Sequence, residues 1–330
     1  MFKPNRPLAL AGKALAASLL VAFGLCLAQP GAYPSRPVRL VVGFAAGGPT
    51  DVVARAFADH AGRALGQPFV VENKPGANTI LAAQAVASAP ADGYTLLLGA
   101  TNHAMIPALY GSRVKFDAIQ SFQPLCTVAT SPTVLVVGPA LQVRTLGDYM
   151  ALARKEPGRV TVGSPGVGSS VHFATEMFAQ ANGLRFNHVP YKGASPVATD
   201  LMGGQLDSSF ATLGSVLPQI QSGKLTALAV AAPRRSALLP QVPTFAQAGG
   251  GDFSADAWYG VLAPAGVPAP VVQALEAVAA GFAGSATAAD KLRGLGLEAA
   301  PRCGAPFAEQ VRREVATYTR IARELDIKAD

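Results

Sequence analysis

The sequence predicts an α/β chain of two lobes, each a mainly parallel sheet flanked by helices. Two observations carry this: a strand, a Gly-rich turn and a helix follow one another twice in separate halves of the chain, and strands alternate with helices around each copy. The first copy runs from Val38 to Phe44, turns through Ala45-Ala46-Gly47-Gly48-Pro49-Thr50 and enters a helix pattern at Asp51. The second runs from Val160 to Gly163, turns through Ser164-Pro165-Gly166-Val167-Gly168-Ser169-Ser170 and enters a helix pattern at Val171. Such turns present unpaired backbone N–H groups at a helix N-terminus, which holds anions without a charged side chain. A matched pair suggests two lobes facing each other across one ligand, although either turn alone can simply connect strand to helix.

Element by element, Val53, Phe57, Ala61 and Leu65 recur at helical spacing after the first turn, and Gly66 is a stop signal. Gln67 to Glu72 reads as a strand, Asn73 to Asn78 as a turn, Thr79 to Ser88 as a helix and Tyr94 to Gly99 as a buried strand. Strand, helix, strand, helix implies a parallel sheet. A first crossover between lobes is expected near the strand Thr133 to Val137, after a stretch rich in turn residues. Thr145 caps a helix to Arg154. Beyond the second turn come a helix bearing Phe173, Met177 and Phe178, a strand Asn187 to Pro190, a helix from about Ser195 to Met202, and strands around Gln205 to Phe210 and Leu225 to Val230. The Pro-rich return from Pro233 to Pro243 reads as the second crossing. Trp258 to Pro264 resumes the first lobe, and two helices, about Pro270 to Phe282 and Pro306 to Leu325, close the chain. The expected organisation is a signal segment at 1–28, a discontinuous first lobe at 29–132 and 245–330, and a second lobe at 133–244, with the ligand cleft between them. Two crossings make a hinge.

Composition narrows the function. Half of the 330 residues are apolar and 14% are charged, enough for two cores. Lys3, Arg6 and Lys13 precede an apolar run from Ala14 to Ala28, too short for a membrane span and followed by Gln29-Pro30, which reads as a secretory signal peptide. Its removal lowers the formal charge from +7 to about +4. The remaining basic residues are scattered without interleaved aromatics, against nucleic-acid binding. Cys126 and Cys303 are left in the mature chain; an oxidising compartment permits a disulfide between them, and two buried thiols is the alternative. No cysteine or histidine cluster suggests a metal.

Ligands of open α/β sheets sit at the carboxyl ends of strands, so several loops are expected to converge. They contribute Phe44, Ala46, Gly47, Thr50 and Asp51; Thr101, Asn102 and His103; Ser164, Gly168, Ser169 and His172; and Tyr191. Asp207 is a candidate acceptor for an amino or amide group, with an exposed loop carboxylate as the alternative. His188 reads as a strand residue, and Trp258 with Tyr259 as core packing or a hydrophobic wall. Gly166-Val167-Gly168-Ser169-Ser170-Val171 nearly fits a dinucleotide fingerprint but lacks its third glycine and a ribose-binding acid. Gly168-Ser169-Ser170-Val171-His172 begins like a nucleophile elbow but has His172 where glycine is required. No cofactor and no enzymatic activity are expected, with a secreted esterase as the enzyme competitor.

Several motifs in order carry a family resemblance: Pro37 to Val42 with Gly47-Gly48-Pro49-Thr50-Asp51, Val71-Glu72-Asn73-Lys74-Pro75-Gly76-Ala77, Ala91 to Leu96, His188-Val189-Pro190-Tyr191-Lys192-Gly193, Leu239 to Thr244, and Trp258 to Pro264. Together they resemble the substrate-binding proteins of tripartite tricarboxylate transporters, the Bug family, over nearly the whole mature chain. The resemblance implies a periplasmic binding protein of type II-like fold that closes around an organic acid, amino acid or related carboxylated compound. It also implies a carboxylate gripped between the two Gly-rich turns, partly through ordered waters, and delivery to membrane permease subunits. The protein is expected to act as a monomer, and a sensor feeding a signalling receptor is the competing role. Gly43 stands where the family often has proline, and Asn78-Thr79-Ile80 replaces the usual Gly-Gly-Asn run.

Overall fold

The computed structural model describes Met1 and residues 33–328. The expected signal segment at 1–28 lies outside the described residues, apart from Met1.

Two sheets organise the chain. The first contains β1 (Val38–Val42), β2 (Phe69–Asn73), β3 (Thr95–Ala100), β4 (Phe122–Ser131), β10 (Ala257–Pro264) and β11 (Arg302–Cys303), in the order β11-β4-β10-β3-β1-β2. The second contains β5 (Thr133–Val137), β6 (Thr161–Ser164), β7 (Asn187–Pro190), β8 (Ser208–Thr212) and β9 (Thr226–Val230), in the order β7-β6-β8-β5-β9. In each sheet three neighbouring strands run parallel, β2-β1-β3 and β7-β6-β8, as the alternation of strand and helix requires. The strands next to the crossings run antiparallel to a neighbour: β10 against β3 and β4, and β5 against β8 and β9.

Apolar runs form strands buried on both faces. Leu40 and Val42 of β1 and Leu96 and Leu98 of β3 face one core, against α1 (Pro49–Leu65) and α8 (Ala269–Ala283). The alternate residues Val41 and Leu97 face a second core, against α2 (Ile80–Ala87), α3 (Asn102–Tyr110) and α10 (Ala305–Glu324). In the second sheet Leu135 and Val137 face the core closed by α4 (Leu146–Lys155) and α5 (Ser170–Asn182). Val134 and Val136 face the core under α6 (Ala194–Met202) and α7 (Leu213–Gln221). A fully buried Phe such as Phe57, set edge-on to Phe69 and Phe282, contributes roughly 1.5–3 kcal/mol. A short helix, α9 (Ala286–Arg293), follows α8 and is capped by Ser285.

Local signals hold at the functional helices. Pro49 occupies the first turn of α1 after an extended Gly48, and Gly66 ends it in the left-handed conformation (φ 72°). Thr145 and Ser169 cap α4 and α5 by accepting from the Asp148 and His172 amides. Three features differ from the sequence reading. The segment expected to be rich in turns contains the ten-residue β4, whose Pro124 lies where β11, paired only with Cys126 and Thr127, leaves one side unpaired. Residues 102–110, expected as a loop at their start, form α3 despite Pro107, because Met105, Ile106 and Leu109 are buried. Phe245 and Phe253 pack with Phe178 and Phe210 in the second core, so the chain returns to the first sheet at Ala257 rather than at 244. The turn carrying Asn78 and Thr79 keeps a left-handed path without glycine: Ala77, Asn78 and Thr79 have φ of 45°, 49° and 72°. Gly43 has no room for a Cβ, which would lie 2.5 Å from that of Thr79.

Cys126 and Cys303 are directly opposed across β4 and β11 and are joined as a disulfide. The bridge closes a loop of 177 residues that contains the whole second sheet. Replacing both cysteines by serine is expected to lower the unfolding free energy by about 2–5 kcal/mol in urea melts, and reducing the wild type to remove most of that difference.

Candidate ligand-binding site

The crossings decide which edges of the sheets meet. Ser131 ends β4 at the carboxyl edge of the first sheet, since it pairs with Ala257 and Tyr259 pairs with Ala100 at the end of β3. Thr133, two residues later, pairs with Thr212 at the carboxyl end of β8, which runs parallel to β6. Pro132 alone therefore separates the two carboxyl edges, and the loops that leave those edges face each other. Thr133 Oγ1 donates to the Ala255 carbonyl at 2.6 Å, tying the two crossings together. Beyond the crossings, Leu109 of α3 lies against Gly168 of the second turn, where an added Cβ would come within 2.8 Å of it.

In the first turn, Asp51 is 2% exposed and its carboxylate is fully occupied. Oδ2 accepts from the Gly47 amide and Arg55 Nε, both at 2.9 Å, and Oδ1 from Asn73 Nδ2 at 2.9 Å. Asn73 Nδ2 also donates to the Phe44 carbonyl. Burial raises the Asp51 carboxyl pKa, but the hydrogen bonds from Arg55, Gly47 and Asn73 outweigh it and hold the group below the ordinary value. Asp51 thus braces the turn instead of presenting charge to the cleft, and it consumes the Gly47 amide. The amides of Gly48, Thr50 and Asp51, and the Thr50 hydroxyl, have no partner among the described residues.

The second turn is braced in the same way. Ser164 is fully buried; its Oγ lies 2.7 Å from His188 Nε2, donates to the Gly166 carbonyl and accepts from the Gly166 amide. Ser169 Oγ caps the His172 amide, and His172 Nδ1 accepts from the Gly168 amide at 3.1 Å. That bond fixes the neutral tautomer with the proton on Nε2, which faces Glu176 Oε1 at 3.8 Å. The His172 and His188 rings stack at 3.9 Å, 5° from parallel. Burial, and then the neighbouring His188, push His172 down to about 4, and burial lowers His188 and raises Glu176. The amides of Val167, Ser170 and Val171 have no partner among the described residues. Beside them Pro165, Ser170, Val171, Ser209, Thr212 and Ser215 border a recess of about 70 Å³.

The other expected residues are placed as follows. Thr101 Oγ1 accepts the Trp258 amide, and Asn102 Nδ2 donates to Thr79 Oγ1 and the Asn78 carbonyl. His103 is 2% exposed, bonded through Nε2 to the Ala118 carbonyl and set edge-on to Phe122. Its Nδ1 is buried and unpartnered, and the ring borders a space of about 10 Å³, the size of one water. Thr101 and His103 serve the interior of the first lobe, and half-buried Asn102 ties the start of α3 to the turn at Asn78 and Thr79. Tyr191 meets the second turn through its amide, bonded to the Ser164 carbonyl, while its hydroxyl donates to Asp200. Asp207 is at the amino end of β8, the edge away from the Gly-rich turns, where its Oδ2 accepts from the Thr161 amide and hydroxyl. Trp258 is core, with Nε1 donating to Glu314. The sequence reading missed Asn73, Glu176 and the partnership of His188 with Ser164. The pairing of Val42 with Asn73 and of Ser164 with Pro190 brings Asn73 and His188 to their turns, and helical i,i+4 spacing from His172 brings Glu176.

A family model described as the tripartite tricarboxylate transporter family receptor matches residues 53–326. The chain belongs to this family. The receptor is 35% identical over 263 residues to protein BugT of Bordetella pertussis, covering 77% of this chain and 81% of that protein. Among solved structures it resembles R. palustris Rpa4515 with adipate (33% identity, TM-score 0.77, 90% of this chain and 100% of that one). It also resembles MatC (Rpa3494) from Rhodopseudomonas palustris with bound malate (30% identity, TM-score 0.73, 88% and 99%). The receptor is therefore a solute-binding protein of the tripartite tricarboxylate type and not an enzyme, and proteins of its family are periplasmic.

The buried imidazole of His172 has a measurable consequence for the receptor. Unfolded, it binds a proton below its ordinary value of 6.5; folded, it stays neutral down to about 4, so acid favours the unfolded chain across that window. His172→Asn keeps an acceptor for the Gly168 amide but cannot titrate. Its unfolding free energy is expected to fall less than that of wild type between pH 7.5 and pH 4, by about 3 kcal/mol, in urea melts at the two pH values.

Proposed function

We propose that the receptor captures a small dicarboxylate by closing its two lobes and presents the closed form to membrane permease subunits. The observation that carries this reading is the pair of helix N-termini with unpartnered amides, at Gly48, Thr50 and Asp51 on one lobe and at Val167, Ser170 and Val171 on the other. Each amide bonded to a carboxylate contributes roughly 1.5–3 kcal/mol once water is excluded, and the α1 and α5 dipoles act in the same direction. Neutral His172 and the Arg55–Asp51 pair add no free charge, so the grip is made by backbone dipoles. Binding of malate and adipate by the two similar proteins supports a dicarboxylate. Closure is driven by contacts made only when both lobes reach the ligand. The chain is exported by its N-terminal signal and works as a monomer.

Two measurements test this. Calorimetry with malate, adipate, succinate and other dicarboxylates is expected to give saturable binding for at least one of them, and silence across the panel would refute the reading. Ser170→Pro deletes one unpartnered amide at the first position of α5, where proline is accommodated after an extended Ser169. It is expected to weaken the dicarboxylate roughly 10- to 100-fold, whereas Ser170→Ala, which retains the amide, leaves affinity within about threefold.

A further inference from the structure

Behind the hinge lies a second, larger cavity of about 710 Å³, within the range of small-molecule sites. Its walls come from both lobes and from the return crossing: Thr130 of β4, Met177 of α5, Ala255 before β10 and Thr317 of α10 all border it. None of the residues of the two Gly-rich turns does. It sits beside β11 and β4, whereas β1 lies on the other side of β10 and β3 in the sheet.

Six charged residues line it: Asp256, Glu298 and Glu314, all partly buried, and Arg234, Arg302 and Arg313, all exposed. The acids are thus less accessible than the guanidiniums, and Arg302 acts electrostatically on both Asp256 and Glu314. No two of the six form an ion pair, among the described residues. Glu314 accepts from Trp258 Nε1 and Gln310 Nε2, Glu298 from Ser236 Oγ across the lobes, and Arg302 donates to Gln310. Asp256 Oδ1 is buried and has no hydrogen-bond partner. Charge of both signs in one cavity, none of it ion-paired among the described residues, matches a ligand that carries both a cation and an anion.

We propose that this hinge cavity binds a zwitterionic amino acid or short peptide, its ammonium group against Asp256, Glu298 and Glu314 and its carboxylate at Arg234, Arg302 and Arg313. An ammonium ion donates three hydrogen bonds, which the carboxylates of the three lining acids can accept. It also offsets the repulsion among the acids. Burial and the Glu298 and Glu314 charges, against the opposing Arg302, push the Asp256 carboxyl up to about 7.

The test is calorimetry at pH 8 on the full chain with L-alanine, di-L-alanine and γ-aminobutyrate, using ethylamine and acetate as single-charge controls. At least one zwitterion is expected to bind more tightly than both controls. Asp256→Asn and Arg313→Ala, each checked for an unchanged melting temperature, should weaken it at least roughly fivefold. Ser170→Pro should leave it unchanged, and the hinge variants should leave dicarboxylate binding unchanged, so that this site and the cleft fail separately. Absence of zwitterion binding, equal binding of ethylamine, or unchanged binding in both hinge variants would overturn the proposal. Loss of zwitterion binding in Ser170→Pro alone would place the ligand in the cleft and overturn it as well. Arg313 is exposed on α10, so its variant decides the matter should Asp256→Asn fold poorly.

Discussion

The short link at Ser131-Pro132-Thr133 is the constraint on which the rest depends. It joins the carboxyl edge of one sheet to the carboxyl edge of the other. Parallel strands place the N-termini of their following helices at that edge, so joining the two edges sets α1 and α5 on the same cleft. The return at Ala255 to Ala257 repeats the link, and the Thr133 to Ala255 bond couples them. A ligand bridging the lobes therefore acts on two short, mutually tied connections, which is the arrangement of a hinge.

Both turns are held from within, and this shapes their chemistry. Asp51, Asn73 and Arg55 fix the first; Ser164, His188 and His172 fix the second. Each brace uses some amides and leaves the adjacent ones unmet. Preorganised dipoles need little rearrangement when an anion arrives, and a neutral site avoids the desolvation cost of a buried cation. The same economy explains why His172 is kept uncharged: its ring accepts a backbone N–H, which an imidazolium cannot do.

The hinge has two sides with different electrostatics. On one, backbone amides of the two Gly-rich turns have no partner among the described residues. On the other, carboxylates and guanidiniums of both lobes surround a cavity without pairing. The Ser236 to Glu298 bond and the contact of Gly214 with the Leu295 carbonyl, where an added Cβ would be 2.3 Å away, join the lobes near this side. Any change in lobe angle must alter these contacts, because close-packed backbone cannot deform continuously.

The sequence by itself determined the two-lobed α/β plan, the strand-turn-helix units at Gly47-Gly48 and Gly166 to Gly168, and the cap at Thr145. These follow from local periodicity, from glycine's access to positive φ and from a hydroxyl acceptor beside a helix start. Tertiary structure alone decided what each candidate side chain does. Asp51 and Asp207 read alike as carboxylates, yet one braces the first turn and the other sits at the far edge of its sheet, a difference set by strand direction. The stacking of His172 on His188, the opposition of Cys126 and Cys303, and the burial of His103 likewise depend on register between segments distant in the chain. Spacing along a sequence fixes what neighbours three or four residues away can do. Which atoms remain unpaired is settled only when remote strands align, because hydrogen bonds are spent wherever the fold first brings partners together.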